Sequence, residues 1–178
     1  KQKTAYEIPK RDWSSYVCSS DLIPAGLRCP ITTKIRQEIW VKLLGNVAFN
    51  PISALTRATL VDMATHAEVS KLVRDVMRET EAVAGKLGIE LPISIDQRIA
   101  GAAKVGAHKT SMLQDVEAGR PMELGAVVGA VIELGEKLGI EMPATRAVYA
   151  CASLLNDRIA NGNANAYVVS GFSRTGSA

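Results

Sequence analysis

The chain has 178 residues, 47% of them hydrophobic and 22% charged, with a formal net charge of +3. No block of like charge and no basic stripe interleaved with aromatics occurs, which argues against a nucleic-acid partner, and the longest uncharged apolar stretches, such as residues 124–132, stop far short of the ~20 residues that a membrane span needs. Cys18, Cys29 and Cys151 form no Cys-x-x-Cys pair and have no histidine at metal-ligand spacing, so the expectation is a reduced, cytoplasmic protein with no metal.

In chain order, residues 1–22 do not read as part of a fold. The runs KQKTAYEI (1–8) and DWSSYVCSSDL (12–22) look like the in-frame translation of a short-read sequencing adapter, interrupted by a few index-derived residues. Such a segment is set aside before fold reasoning. About 156 residues remain, enough for one domain with a sizeable core, and their net charge falls to +2. The domain is expected over 23–160. From 161 to 178, Asn, Gly, Ser and Thr dominate, and a polar flexible tail with little to bury is expected there.

Between these ends the hydrophobic periodicity is helical and strand-like alternation is scarce, which predicts an all-α domain. Thr32 or Thr33 can cap a first helix in which Ile35, Ile39 and Leu43 recur at helical spacing up to about residue 50, where Asn50-Pro51 breaks or restarts it. Further helices are predicted over 67–87, 95–105, 111–117, 122–138 and 145–159. Lys86-Leu-Gly-Ile-Glu-Leu-Pro92 is echoed by Lys137-Leu-Gly-Ile-Glu-Met-Pro143, each time after an amphipathic helix. It reads as one stop signal used twice. Gly88 and Gly139 take the left-handed conformation that ends a helix, Ile89 and Ile140 fold back on its last turn, and the prolines forbid continuation.

Chemistry is most legible in IWVKLLGNVAFNPISAL (39–55), apolar on almost every side except at Lys42, Asn46, Asn50 and Ser53. Steps of four residues rotate a helix by only ~40°, so Lys42, Asn46 and Asn50 form one polar stripe. One cation and two amides on an otherwise buried helix can line a cleft in which a small polar anion, such as a 2-keto acid, supplies the missing acceptors. Taken singly, the same residues also fit a snorkelling lysine and amides that cap helix ends. Further on, Ser111 and Gln114 have the spacing of a capping box, and Glu123 sits near a helix start, where the dipole favours a carboxylate. Gly125 and Gly129 suggest close helix packing. His66 and His108 lack a titratable partner at motif spacing and read as surface or structural residues. The chain has neither a strand-turn-helix with Gly-x-Gly-x-x-Gly nor a Gly-rich loop before Lys-Ser/Thr, so it has no dinucleotide cradle of those kinds.

Together, Trp40-x-Lys42-x-x-x-Asn46-x-x-x-Asn50-Pro51, the run Ser111-Met-Leu-Gln-Asp115 and Glu123 resemble the C-terminal domain of ketopantoate reductases (2-dehydropantoate 2-reductases), over roughly residues 23–157. The resemblance implies an all-α domain of the 6-phosphogluconate-dehydrogenase-like C-terminal type. It also implies a Rossmann partner domain, absent from this sequence, that binds most of an NADPH cofactor. The implied reaction reduces 2-dehydropantoate to pantoate, a step toward coenzyme A. By the same likeness Lys42 is the general acid, its acidity sharpened where apolar surroundings destabilise the ammonium. Asn46, Asn50 and Ser111 hold the substrate, and Glu123 either accepts a hydrogen bond from a substrate hydroxyl or helps place the cofactor. Leu60 stands where some relatives carry a further polar residue. The fragment is expected to be inactive alone. A reductase of another small 2-keto acid and a non-catalytic helical interaction module remain as alternatives, and pairing into a homodimer is left open.

Overall fold

The computed structural model describes residues 32–162, and every regular element among them is a helix. The adapter-like run 1–22, the domain start at 23, Cys18, Cys29 and the tail beyond 162 lie outside the described residues. Of the unit Lys1–Ile35, residues 32–35 are described; there the Lys34 N–H donates to Thr32 Oγ1 at 3.0 Å. The remaining described residues belong to the unit Arg36–Ala178. The all-α expectation holds.

Helix α1 (Ile35–Thr56) carries the longest run of buried residues among the described residues. Every residue from 47 to 54 is buried, so neighbours cover it on all sides over this stretch. The break expected at Asn50-Pro51 does not occur. Pro51 leaves one carbonyl a turn upstream without its N–H partner, but Val47, Ala48, Phe49, Ile52 and Ala54 are all at most 3% exposed, and their packing holds the helix straight through. The helix ends beyond Ser53: Arg57 takes a left-handed φ of 63° and its N–H bonds Ser53 O at 2.8 Å, while Ser53 Oγ donates to Ala58 O at 2.6 Å. Ser53 therefore serves the helix end.

Around α1 stand α2 (Leu60–Thr65), α3 (Ala67–Lys86), α4 (Ile95–Val105), α5 (Ser111–Glu117), a π-helical turn (Gly125–Gly129) that runs into α6 (Ala130–Lys137), and α7 (Pro143–Ala160). Helix α2 was not anticipated, because six residues are too few for periodicity to declare itself. The 122–138 prediction begins two residues early, and α7 starts at Pro143, a favoured first helical position, ahead of the expected 145. The core that these helices enclose is rich in methionine, with Met63, Met77, Met112 and Met142 at most 2% exposed beside Leu44 and Leu124. Unbranched thioether chains fill irregular gaps between helices that cross at different angles.

Both copies of the stop signal close in the same way. Ile89 N–H bonds Ala84 O at 2.9 Å and Gly88 N–H bonds Gly85 O at 3.0 Å; Ile140 N–H bonds Gly135 O at 2.9 Å and Gly139 N–H bonds Glu136 O at 3.1 Å. Gly88 and Gly139 adopt φ of 73° and 68°. These are paired Schellman closures, with Ile89 and Ile140 folded against the core.

The start of α7 has no side-chain cap of its own. Glu79, from the middle of α3, supplies one: its Oε1 accepts from Ala144 N–H (2.9 Å), and its Oε2 from Thr145 N–H (2.8 Å) and Thr145 Oγ (2.6 Å). A carboxylate over a helix N-terminus satisfies orphan donors and opposes the dipole at once. Glu79→Ala should therefore lower unfolding free energy by about 2–3 kcal/mol, the scale of charge-assisted hydrogen bonds, read from chemical denaturation.

At the start of α2, Asp62 Oδ2 accepts from Thr59 Oγ (2.6 Å) and Thr59 N–H (2.9 Å), and these two bonds, the hydroxyl's first, hold its carboxyl below the ordinary value of 3.8. A lowered folded pKa contributes stability that is complete above the unfolded value and is lost as pH falls through the folded one. The melting temperature of the native chain should exceed that of Asp62→Asn near neutrality, and the gap should close as pH drops below about 3.8.

Candidate functional site

The polar stripe of α1 opens into a cleft of about 450 Å³, lined from α1 by Lys42, Gly45, Asn46, Phe49 and Asn50. The other walls are Leu60 at the start of α2, Arg98 on α4, His108 and Thr110 before α5, Ser111, Met112 and Asp115 on α5, and Glu123 and Val127 at the π-turn. All five residues singled out from sequence, Lys42, Asn46, Asn50, Ser111 and Glu123, thus line one cavity, although they come from three separate segments. Ser53 does not line it. Within the stripe burial deepens along the helix: Lys42 is exposed, Asn46 half-buried and Asn50 7% exposed. The apolar burial expected around the Lys42 ammonium is therefore absent among the described residues.

Asn50 and Ser111 meet directly, the amide Nδ2 donating to Ser111 Oγ at 3.4 Å across the cleft floor. This contact depends on a one-residue correction to the expected cap. Thr110, not Ser111, caps α5: Thr110 Oγ accepts from Leu113 N–H at 3.2 Å, while Gln114 turns back to donate to Lys109 O at 3.0 Å. Ser111 becomes the first residue of the helix, with its hydroxyl free to face the cleft.

Glu123 is carried by the segment between α5 and the π-turn. Its neighbour Met122 donates its N–H to Asn156 Oδ1 on α7 at 2.6 Å, which ties that segment to the far helix. Beyond it, Ala130 N–H reaches back five residues to Gly125 O. Such widened turns recur at functional sites because they shift side chains off the regular helical register. Gly129 packs under Tyr149, whose Oη would lie 3.3 Å from an added Cβ, whereas Gly125 has open space; the close-packing expectation holds for one of the two glycines.

The electrostatics of the cleft are uneven. Asp115 is engaged by Arg120, at 2.7 and 3.2 Å. Lys42 and Arg98 face the cavity with no ion pair to a described residue, and Glu123 is a carboxylate in the same condition. With Asp115 paired to Arg120, two cations stand against one carboxylate among amides and hydroxyls, and the site suits a small anion with further hydrogen-bonding groups. Among the described residues no group of His, Cys, Asp and Glu could hold a metal ion, and no helix is long and apolar enough to cross a membrane.

Sequence reasoning missed four polar members of this wall, Arg98, His108, Thr110 and Asp115. His108 read as a surface or structural residue because it has no partner at motif spacing; its main-chain carbonyl accepts from Leu60 N–H at 3.0 Å, which joins two wall residues. Arg98 stands in the first turn of α4, where the positive end of the helix dipole repels a cation. That misplaced charge was the available signal.

The family described as "Ketopantoate reductase PanE/ApbA C terminal" matches residues 34–156. A 2-dehydropantoate 2-reductase from Mesorhizobium japonicum is 49% identical over 132 residues, which cover 74% of this chain and 40% of that protein. Among solved structures, the 2-dehydropantoate 2-reductase from Methylococcus capsulatus aligns with a TM-score of 0.74 at 34% identity, covering 82% of this chain and 52% of that one. A PanE/ApbA family ketopantoate reductase from Ralstonia eutropha JMP134 aligns with a TM-score of 0.75 at 29% identity, covering 82% and 49%. The chain spans about half or less of the length of these relatives.

Removing the anchor beneath Glu123 should be felt locally. In Asn156→Ala, the Met122 amide should lose its protection in hydrogen–deuterium exchange, and stability should fall by about 1–3 kcal/mol for the orphaned donor.

Proposed function

Because the chain belongs to the ketopantoate reductase PanE/ApbA C-terminal family, we propose that it is the substrate-binding half of an NADPH-dependent reductase that converts 2-dehydropantoate to pantoate. The observation that carries this reading is the convergence of Lys42, Asn46, Asn50, Ser111 and Glu123 on one cleft. Among the described residues there is no strand-turn-helix to cradle a dinucleotide, and in this reading a Rossmann partner domain holds most of the cofactor. Residues 1–22 are not native, and the working protein is soluble and cytoplasmic.

In this reading the paired amides of Asn46 and Asn50, with the Ser111 hydroxyl, orient the keto acid against α1. Lys42 gives its proton to the keto oxygen as that carbonyl is reduced, and its charge offsets the negative charge building there. A lysine suits this work because its ammonium is a compact, mobile point charge with three donors. The exposure of Lys42 is consistent with a cleft completed by the partner domain, which would exclude water from the ammonium. Glu123, on the wall of the same cleft, accepts from a substrate hydroxyl.

The test uses the intact two-domain reductase, recovered by sequencing upstream of codon 23 with long reads, beside the present chain. The intact enzyme should reduce ketopantoate with NADPH, and Lys42→Ala should lower kcat by about 10²–10⁴-fold, the scale of general acid catalysis. The present chain should give no turnover. Unchanged kcat in Lys42→Ala would remove the assignment, and turnover confined to a different 2-keto acid would favour the sibling-reductase alternative.

A further inference from the structure

Arg98 is not explained by the architecture around it. It follows Ser94, Ile95, Asp96 and Gln97 at the start of α4, with its N–H bonded to Ser94 O at 2.9 Å, so its charge sits at the end of the helix where the dipole is positive. The other charged residue of that turn, Asp96, pairs with Arg74 at 2.6 Å and not with Arg98. Arg98 Nε is fully buried and makes no hydrogen bond. A buried guanidinium N–H without an acceptor is costly, and such groups persist where something other than folding uses them.

The side chain is held in place by a gap in α1. It lies flat across Gly45, where an added Cβ would overlap Nη2 and come within 2.6 Å of Nε and 2.7 Å of Cζ. Gly45 stands three residues after Lys42 and one before Asn46, on the wall of the same cleft. Two cations of different kinds therefore flank one strip of helix. Of the two carboxylates on the wall, Asp115 is taken by Arg120 at 2.7 Å, which leaves Glu123 alone against the two cations.

We propose that Arg98, seated on Gly45, recognises the carboxylate of the 2-keto acid and so sets the specificity of the cleft for an acid over a neutral ketone. The planar fork of a guanidinium matches a carboxylate through two parallel hydrogen bonds. Lys42 then remains for the adjacent keto oxygen, a division of labour that fits a substrate whose carboxylate and carbonyl are bonded to each other. The inference rests on the keto-acid reading of the site. A guanidinium that merely covers Gly45 is the contrary case.

The deciding experiment is steady-state kinetics of the intact reductase with ketopantoate and with its neutral amide, for the native enzyme, Arg98→Lys, Arg98→Met and Gly45→Ala. Arg98→Met should raise KM for ketopantoate about 10- to 100-fold, the loss expected of a charge-assisted hydrogen-bond pair, with kcat changed by much less and KM for NADPH unchanged. Arg98→Lys should recover part of the loss, and Gly45→Ala, which displaces the guanidinium, should resemble Arg98→Met. Preference for the acid over the amide should collapse in both. Equal effects on acid and amide, or a native KM in Arg98→Met, would overturn the proposal while leaving the reductase reading intact. Should Arg98→Met not fold, the acid-to-amide preference of Arg98→Lys and Gly45→Ala decides alone, a native preference in both overturning it. A native enzyme that reduces no 2-keto acid would instead end the reading on which it rests.

Discussion

A helix that is apolar around nearly its whole circumference must be wrapped, and a helix that also carries Lys42, Asn46 and Asn50 in one line cannot be wrapped completely. The rest of this domain follows from that conflict. Residues 47–54 are buried on every side, so the surrounding helices close over most of α1, yet an amide such as Asn50 must keep a partner when water is excluded. Its bond to Ser111 supplies part of the answer and the cleft supplies the rest. The cavity is thus a consequence of how α1 is written, with the other helices arranged around it.

What keeps the wrapping in register is a small number of polar links between segments far apart in sequence. Glu79 joins the middle of α3 to the start of α7, and Asn156 returns from α7 to the segment bearing Glu123. Methionine-rich packing is tolerant of small shifts, whereas a carboxylate over two N–H groups is not. The apolar core supplies cohesion, and these directed bonds select one arrangement within it.

Features encoded by neighbouring residues were readable from the sequence, and features that join distant ones were not. Both Schellman closures could be drawn in advance, because glycine, isoleucine and proline within seven residues contain all the geometry they need. The stripe was readable because helical spacing alone aligns residues 42, 46 and 50. The cap of α5 was displaced by one residue, since Thr110 and Ser111 are adjacent hydroxyls with similar capping tendencies and local pattern does not choose between them. Pro51 misled because intrinsic propensity was outweighed by burial on all sides. Arg98 and His108 reach the cleft only through the crossing of α1 with elements some fifty to sixty residues away, and no period in the chain reports that crossing.

The main-chain bond from Leu60 N–H to His108 O has a consequence for how such a site can diversify. Two adjoining portions of the cavity wall are fixed to each other through backbone atoms, which every residue except proline possesses in full. Side chains at both positions can be exchanged without dislodging the scaffold that presents them. Leu60 makes this part of the wall apolar, and a polar side chain there would sit on the same backbone bond. A domain built in this way can change the shape and polarity of what it admits by point substitution, and its lineage can explore new substrates without first reinventing the fold.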